Sequence, residues 1–359
     1  MVFNKNTAIL LVIALLIASI GIISIYSCTY RKEGQLWQDI YKRQILWVVL
    51  GLGLFLIASH MDYRRLWDWA FVLYALAVFF LLLVVILGIT RLGAQRWLKI
   101  GAFHFQPSEF AKIVTIIFLA RYYTVSREGL ARSIGIPFAF IFLPMGLIIR
   151  QPDLGSGLLV LFIFIAVLFV AQVRMRHLLL LGVFLAASIP LLWQLLRDYQ
   201  KERLLVFMNP DMDPLGAGYT IVQSKIAIGS GGLFGKGWLA GTQSQLHFLP
   251  ESHTDFIFAT FTEQWGLLGS VFLLILYYGL LSQAFGIGQR SHDQFGRILA
   301  HGIMFMIAVQ MAINIAMNMG LAPVVGIPLP LMSYGGSSVL ITFFCLGILA
   351  SISRRRTVF

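Results

Sequence analysis

The stretch Trp69-Ala-Phe-Val-Leu-Tyr-Ala-Leu-Ala-Val-Phe-Phe-Leu-Leu-Leu-Val-Val-Ile-Leu-Gly-Ile89 carries no charge, and its side chains offer only one indole N–H and one phenol to hydrogen bonding. A helix rises about 1.5 Å per residue, so about 20 such residues match a hydrocarbon core of about 30 Å. In lipid a backbone must satisfy its own N–H and C=O groups, which a helix does within one segment. The run therefore reads as a membrane-spanning helix.

The rest of the chain agrees with it. Of 359 residues, 59% are apolar and only 12% are charged, about half the charged share of a soluble domain. Mean hydropathy is +0.85. So few charges could not cover the surface of a soluble fold, which excludes a water-soluble enzyme, a secreted disulfide scaffold and a disordered tail. The 27 Lys and Arg exceed the 15 Asp and Glu. In a membrane chain, basic residues cluster in loops and set topology, so the excess is no argument for nucleic acid. Cys28 and Cys345 lie near opposite ends with no metal spacing and read as inert packing residues. Thr7–Tyr26 is long enough to span, and no Ala-x-Ala-like site follows it, so it is expected to be a retained helix and not a signal peptide.

Further spans are Ile45–Ser59, Ser133–Ile149, Leu154–Val173, Leu178–Leu196, Gln264–Gly288, Ile298–Met319 and Val339–Ile352. Between the last two, Pro323, Pro328, Pro330 and Gly336 predict a loop or re-entrant segment. Lys112 and Arg121 bracket a run too short to span, so a helix there must begin near Pro107, a residue suited to a first turn. Glu109 and Lys112 are then one turn apart on one face. The expectation is an all-α polytopic membrane protein, a single domain over residues 1–359 with ten transmembrane helices.

An even count puts both termini on one side. Lys5 and Arg354, Arg355 and Arg356 point to the cytoplasm. About 13 basic residues then lie inside and about 14 outside, and the density of charge in the short inner loops decides the orientation. Three polar stretches fall outside: Arg91–Lys112, the hairpin Arg150–Gly157, and a long extracytoplasmic loop between helices 7 and 8, residues 197–256. A connection of that length is usually functional. About 11 of the 15 acidic residues share this side.

Several outer stretches offer chemistry. Gly229-Ser-Gly-Gly-Leu-Phe-Gly-Lys236-Gly237 resembles a phosphate loop, but Ser230 stands where a Walker glycine is needed and Gly237 where Ser or Thr would hold magnesium. It reads as a flexible or re-entrant turn. His247 and His253, near Glu251 and Asp255, match no strong zinc spacing. In Pro250-Glu-Ser-His-Thr-Asp255-Phe-Ile-Phe-Ala259, two carboxylates and a His precede an apolar helix carrying Glu263. Asp255, Ala259, Thr262 and Glu263 are expected on one face. Thr254 or Asp255 could cap that helix, or the carboxylate could work at the membrane edge; both readings stand. Asp153 is expected to cap the helix after it and to pair with Arg150, the competing view being that Arg150 binds an anionic headgroup. Glu109 with Lys112 is either a structural ion pair or a functional one.

Taken in series, Gly93-Ala-Gln-Arg-Trp97-Leu, Phe105-Gln-Pro-Ser-Glu109-Phe-Ala-Lys112, Gln151-Pro-Asp-Leu-Gly155, Pro250-Glu-Ser-His-Thr-Asp255-Phe and Pro328-Leu-Pro-Leu-Met-Ser-Tyr-Gly-Gly336 resemble the SEDS family (shape, elongation, division and sporulation) over essentially the whole chain. Compactness favours its elongation branch over its division branch, and length does not separate it from the sporulation branch. The resemblance implies a multi-pass protein of the bacterial cytoplasmic (inner) membrane. It would be a peptidoglycan glycosyltransferase that polymerises lipid II on the outer face, working with a class B penicillin-binding protein (a transpeptidase) within the elongation machinery. It also implies that the family's essential aspartate is Asp255, its functional tryptophan Trp97, and its paired acid and base Glu109 and Lys112.

Converting an α-linked sugar phosphate to a β-1,4 linkage inverts the anomeric centre. One displacement suffices, with a base for the incoming hydroxyl, worth typically 10²–10⁴-fold, and stabilisation of the departing pyrophosphate. Asp255 is the expected base. Lys112, Arg96, Arg203 and Lys236 are the available cations. Trp97 suits an interfacial position against sugar or prenyl chain. Asp153, Glu251 and His253 complete the expected outer-rim substrate contacts, and apolar grooves between helices would hold the polyprenyl tails and membrane lipid. The sequence implies no definite cofactor; a divalent cation (Mg or Mn) could serve the pyrophosphate, with no ligand set fixed by sequence. The alternatives are a lipid II flippase and a non-catalytic scaffold for the transpeptidase. A flippase should carry charges at mid-depth, whereas here the acidic residues gather at the outer rim.

Overall fold

The structure, a computed structural model, describes residues 5–30, 39–91, 94–101, 103–125, 129–214, 216–246 and 248–355. His247, half of the candidate histidine pair, lies outside them. The described chain is nearly all-helical. In order come α1 (Lys5–Thr29), α2 (Ile40–His60), α3 (Arg65–Leu87), α4 (Pro107–Tyr123), α5 (Ile136–Arg150), α6 (Leu154–Val170) and α7 (Met175–Leu195). Then follow α8 (Asp198–Met208), α9 (Ala217–Ser230), α10 (Thr242–Gln245), α11 (Ile257–Gln289), α12 (Gln294–Asn318) and α13 (Gly336–Arg354). A π-helical turn, Ala131–Gly135, leads into α5.

Among the described residues, eight helices are long and apolar enough to cross a membrane by length and composition. The two other expected spans are α4 and α6, each of 17 residues. Outward faces are apolar, as lipid contact requires: Leu179, Val183, Phe184 and Leu191 of α7 and Leu268, Phe272 and Ile275 of α11 are all exposed.

One stretch departs from the all-α expectation. The segment before α4 pairs as a three-stranded antiparallel sheet of β1 (Ile89–Arg91), β2 (Ala94–Ile100) and β3 (Phe103–Phe105), in the order β1-β2-β3. Ile89 faces Trp97 and Leu98 faces Phe105. At the end of β2 Leu98 is enclosed and its neighbour Lys99, on the opposite face, is exposed, and Gly101 at φ 63° begins the reversal into β3. The polar loop of residues 197–256 is likewise not structureless; it holds α8, α9 and α10.

The chain forms two compact units. The first comprises Met1–Leu54, Tyr199–Gln283 and Ile307–Leu346; the second comprises Phe55–Asp198, Ala284–Met306 and Gly347–Phe359. In the second unit α4 is the enclosed helix. It packs on α3, α5 and α6, and nearly all its side chains are buried, Glu109 and Lys112 included. Pro107 opens it, as its fixed φ and missing N–H allow. In the first unit the close approaches are made at glycine: a Cβ on Gly21 of α1 would lie 2.5 Å from the Met332 carbonyl oxygen. Ala227, Leu249, Phe256 and Ala259 form a small apolar core directly beneath the turn that carries Asp255.

Candidate active site

In the first unit, residues 250–256 form a turn leading into α11. Glu251 has φ 49°, in the left-handed region that a non-glycine residue enters at a cost. Its carbonyl accepts the N–H groups of Thr254 (3.1 Å) and Phe256 (3.3 Å), and its carboxylate accepts the Thr254 hydroxyl at 3.1 Å. The proline-rich segment before α13 supports the turn from one flank. Tyr334 N–H donates to the His253 carbonyl (2.9 Å), and the Ser333 hydroxyl donates to the Thr254 carbonyl (2.7 Å). Gln44 of α2 in turn donates to the Ser333 carbonyl at 3.1 Å. From α12, the side-chain amides of Asn314 and Asn318 donate to the Asp255 carbonyl oxygen at 3.0 and 2.9 Å. Asp255 and Glu251 are half-buried, whereas His253 is buried beside the Tyr334 ring. The helix begins at Ile257, so Asp255 precedes α11 and does not share a helical face with Ala259 and Glu263. The turn thus has its backbone fixed while Asp255 stays half-exposed.

Glu263 lies fully enclosed where α11 breaks: Gly266 takes φ 65° and ψ −162°. The glycine-rich turn closes the break. Lys236 N–H and Gly237 N–H donate to the carbonyls of Glu263 and Gln264, both at 3.0 Å, while Leu267 N–H and Leu268 N–H donate to those of Gly232 (2.9 Å) and Leu233 (3.1 Å). Four helix groups freed by the kink are matched by four groups of the turn, as a low-dielectric setting demands. Glycine is needed on both sides. A Cβ on Gly266 would meet Gly235 N at 2.4 Å, and one on Gly235 would meet the Gln264 carbonyl oxygen at 2.1 Å. This is the function of the motif that resembles a phosphate loop. Lys236, one of the expected pyrophosphate cations, pairs instead with Glu263 Oε1 at 2.8 Å, an atom that also accepts from Gln243 N–H (3.0 Å) and Thr242 (3.1 Å). Arg203 on α8 is exposed and donates to the Val324 carbonyl at 3.4 Å.

The second unit holds the other expected residues. Lys112 Nζ and Glu109 Oε1 are 2.6 Å apart, with side-chain exposures of 1% and 4%. Asp153 caps α6 by accepting Ser156 N–H at 3.1 Å, as expected. Its ion pair is with Arg96 Nη1 at 3.8 Å, and not with Arg150, which ends α5 exposed. Arg96 also donates to the Pro152 carbonyl. Strand β2 therefore ties to the hairpin before α6, a contact between residues far apart in sequence. Trp97 is half-buried on the same strand. Among the described residues, no three His, Cys, Asp or Glu side chains gather as a metal site.

Asn314, Asn318, Ser333 and Gln44 were not singled out by the sequence reading. The two asparagines did leave a signal: amides one turn apart in an apolar span are costly unless they bond.

Comparison with known proteins follows the same lines. The family described as Cell cycle protein, of FtsW, RodA and SpoVE type, matches residues 7–358. The chain is 43% identical over 354 residues to peptidoglycan glycosyltransferase MrdB of Escherichia coli (strain K12), covering 98% of this chain and 93% of that protein. It is 38% identical over 360 residues to stage V sporulation protein E of Bacillus subtilis (strain 168), covering 96% of each. A chain of a solved peptidoglycan synthase complex, whose structure concerns coordination of polymerization and crosslinking, superposes with TM-score 0.83 at 33% identity, covering 98% of both chains. Rod shape determining protein RodA of Thermus thermophilus superposes with TM-score 0.73 at 28% identity, covering 98% of this chain and 97% of that one. The chain belongs to the FtsW/RodA/SpoVE family, the SEDS family that its motifs resemble.

Proposed function

We propose that this chain is a peptidoglycan glycosyltransferase that polymerises lipid II at the outer face of the bacterial cytoplasmic membrane during elongation, with Asp255 as general base. The observation that carries the assignment is the turn 250–256. Its backbone is bonded from two flanks, and the Asp255 side chain stays half-exposed on it. A base must come within hydrogen-bond reach of the hydroxyl it deprotonates, and a fixed, accessible carboxylate meets that need. The acceptor 4-hydroxyl loses its proton to Asp255 as its oxygen attacks the anomeric carbon; the carbon–oxygen bond to pyrophosphate breaks and the configuration inverts. Among the expected cations, Arg203 is exposed and available to the departing pyrophosphate, whereas Lys112 and Lys236 are held by carboxylates.

In this reading the protein is one integral-membrane domain with ten crossings, α4 and α6 included, both termini cytoplasmic, and residues 197–256 outside. The apolar helix surfaces receive the polyprenyl tails. The relatives' name supports the activity, and the likeness to a synthase complex supports a class B penicillin-binding partner that crosslinks the strands.

The test is polymerisation of lipid II by the purified chain in detergent, alone and with a class B transpeptidase, with a chelator arm to score metal dependence. Glycan strands are expected from the parent and none above background from Asp255→Asn. An Asp255→Asn variant that is folded and polymerises at the parent rate removes the base assignment. No glycan from any preparation, with lipid II crossing vesicle membranes, would favour a flippase; neither activity would favour a scaffold.

A further inference from the structure

We infer that Asn314 and Asn318 are positioning residues for Asp255, a pair of amides that hold the peptide from which the proposed base projects. The inference rests on the reading of Asp255 given above. The two residues are four apart on α12 and so lie one above the other on one face. Both are fully enclosed. Each sends an amide hydrogen to the same atom, the Asp255 carbonyl oxygen, at 3.0 and 2.9 Å.

Their remaining capacity is used on either side of that atom. Asn314 Nδ2 also donates to the Ile327 carbonyl at 2.8 Å, which ties the turn to the proline-rich segment. Asn318 Oδ1 accepts Ala259 N–H at 3.1 Å. Ala259 is the third residue of α11, and its N–H is one of the donors that a helix start leaves without an intrahelical partner. A Ser, Thr, Asp or Asn at the residue before the helix ordinarily supplies the acceptor. Phe256 occupies that place and has no side-chain oxygen, so the acceptor comes from α12. Asn318 further donates to the Asn314 backbone carbonyl at 2.8 Å, which fixes its own amide plane. One side chain thus grips the carbonyl of Asp255 and the first turn of α11 together. Rotation of the 255–256 peptide would break both asparagine bonds to the Asp255 carbonyl and the Phe256 N–H bond to the Glu251 carbonyl, while the Ala259 bond keeps Asn318 in register with the helix start.

The neighbouring bonds have a different character. Ser224 of α9 donates to the Asn318 backbone carbonyl at 2.7 Å, buried at the same level of α12, and its hydrogen bond goes neither to Asp255 nor to the first turn of α11. It is the matched control for simple anchoring. If the asparagines only anchored helices, their loss and that of Ser224 would act alike. As positioning residues they act on kcat, since displacement of a reacting group by about 1 Å can cost roughly 10²-fold.

The experiment uses the full-length chain, with its transpeptidase if polymerisation requires it, and lipid II as the probe. Asn314→Ser, Asn318→Ser and Ser224→Ala are compared, serine being chosen because it can bond its own helix carbonyl and keep α12 folded. Both asparagine variants are expected to lose at least tenfold in kcat with KM for lipid II within about threefold of the parent, while Ser224→Ala keeps the parent kcat. Hydrogen exchange over residues 256–262 should rise in Asn318→Ser and not in Asn314→Ser, because only Asn318 holds an amide of α11. Asn318→Gln, one methylene too long, should not restore kcat. Parent-like kcat in both serine variants overturns the inference, and so does an equal loss in Ser224→Ala. Should a serine variant fail to fold, the exchange pattern and kcat of the other decide on the same terms. Asp255→Asn is run alongside. If it is active the base assignment fails; if it is inactive while both asparagine variants are unimpaired, only the positioning role fails.

Discussion

Lys236 and Glu263 allow the helix break to be weighed energetically. Glu263 is fully enclosed, its partner is 27% exposed, and the pair is 2.8 Å apart. Removing one member of a buried pair costs about 3–5 kcal/mol, because an uncompensated charge stays behind. In Lys236→Met the carboxylate keeps the Thr242 hydroxyl and the Gln243 N–H. A cost at or just below the bottom of that range is therefore expected, ~2–3 kcal/mol. Glu263→Gln retains an oxygen for those donors and frees a lysine that can reach solvent, so it should cost ~1–2 kcal/mol. The double variant Lys236→Met/Glu263→Gln carries no stranded charge and should cost about as much as Glu263→Gln alone, a coupling of ~2 kcal/mol or more between the sites. Equilibrium unfolding in mixed micelles, by rising mole fraction of a denaturing detergent, reads all four corners of the cycle. The reasoning is refuted if the double variant equals the sum of the singles within ~0.5 kcal/mol. Polymerisation adds a second readout: if Lys236 served pyrophosphate directly, the double variant would regain stability and still show a raised KM.

Three further outcomes are expected. Gly266→Ala places a Cβ 2.4 Å from Gly235 N at φ 65° and should cost ~2–3 kcal/mol with faster hydrogen exchange over residues 231–237, whereas Gly229→Ala, whose Cβ meets nothing within 4 Å, should be neutral or stabilising. In the second unit, between the helices α2 and α3, Tyr63 donates to Asp293, and burial first, then that bond, push its phenol up to about 12. A raised pKa means that the fold favours the protonated form, so this contribution is complete below pH ~10 and lost between ~10 and ~12; a pH series of unfolding midpoints should show a smaller loss in Tyr63→Phe than in the parent. For the Glu109–Lys112 pair, Lys112→Met should destabilise by ~3–5 kcal/mol and Glu109→Gln/Lys112→Met by clearly less, measured by the same unfolding assay.

Those features that depend on a single segment could be read from the residues. The apolar runs locate the helices because a helix in lipid is a local solution to backbone hydrogen bonding. Pro107 marks the start of α4 because its ring fixes the first turn, and Asp153 marks α6 because a cap bonds three residues ahead. What escaped involves distant partners. Arg96 lies closer to Asp153 than its sequence distance suggests because β2 folds back toward the hairpin, and Arg150 at the helix end turns out exposed. The strands themselves are short and mix Gln, Arg, Lys and His with apolar residues, so no clear alternation announces them. The glycine-rich turn could be recognised as flexible, but its purpose needs the kink at Gly266, which lies 29 residues beyond Gly237.

The carboxylates separate by access and not by their nearness to the membrane edge. Glu109 and Glu263 stand as close to motif residues as Asp255 does in sequence, yet they are 3% and 0% exposed and each is bonded to a lysine. Such a group stabilises the fold through its partner, and exchanging both members for neutral residues should return most of what either single change removes. Asp255 is half-buried on a turn whose carbonyl, not its carboxylate, carries the two asparagine bonds. The backbone is held from α12 while the residue stays half-exposed, and on the proposed reading that carboxylate takes the proton of the arriving hydroxyl. Compensation therefore distinguishes the two classes: a neutral partner exchange should recover stability at Glu109 and Glu263, and no second substitution in this chain should recover polymerisation once the Asp255 carboxylate is gone.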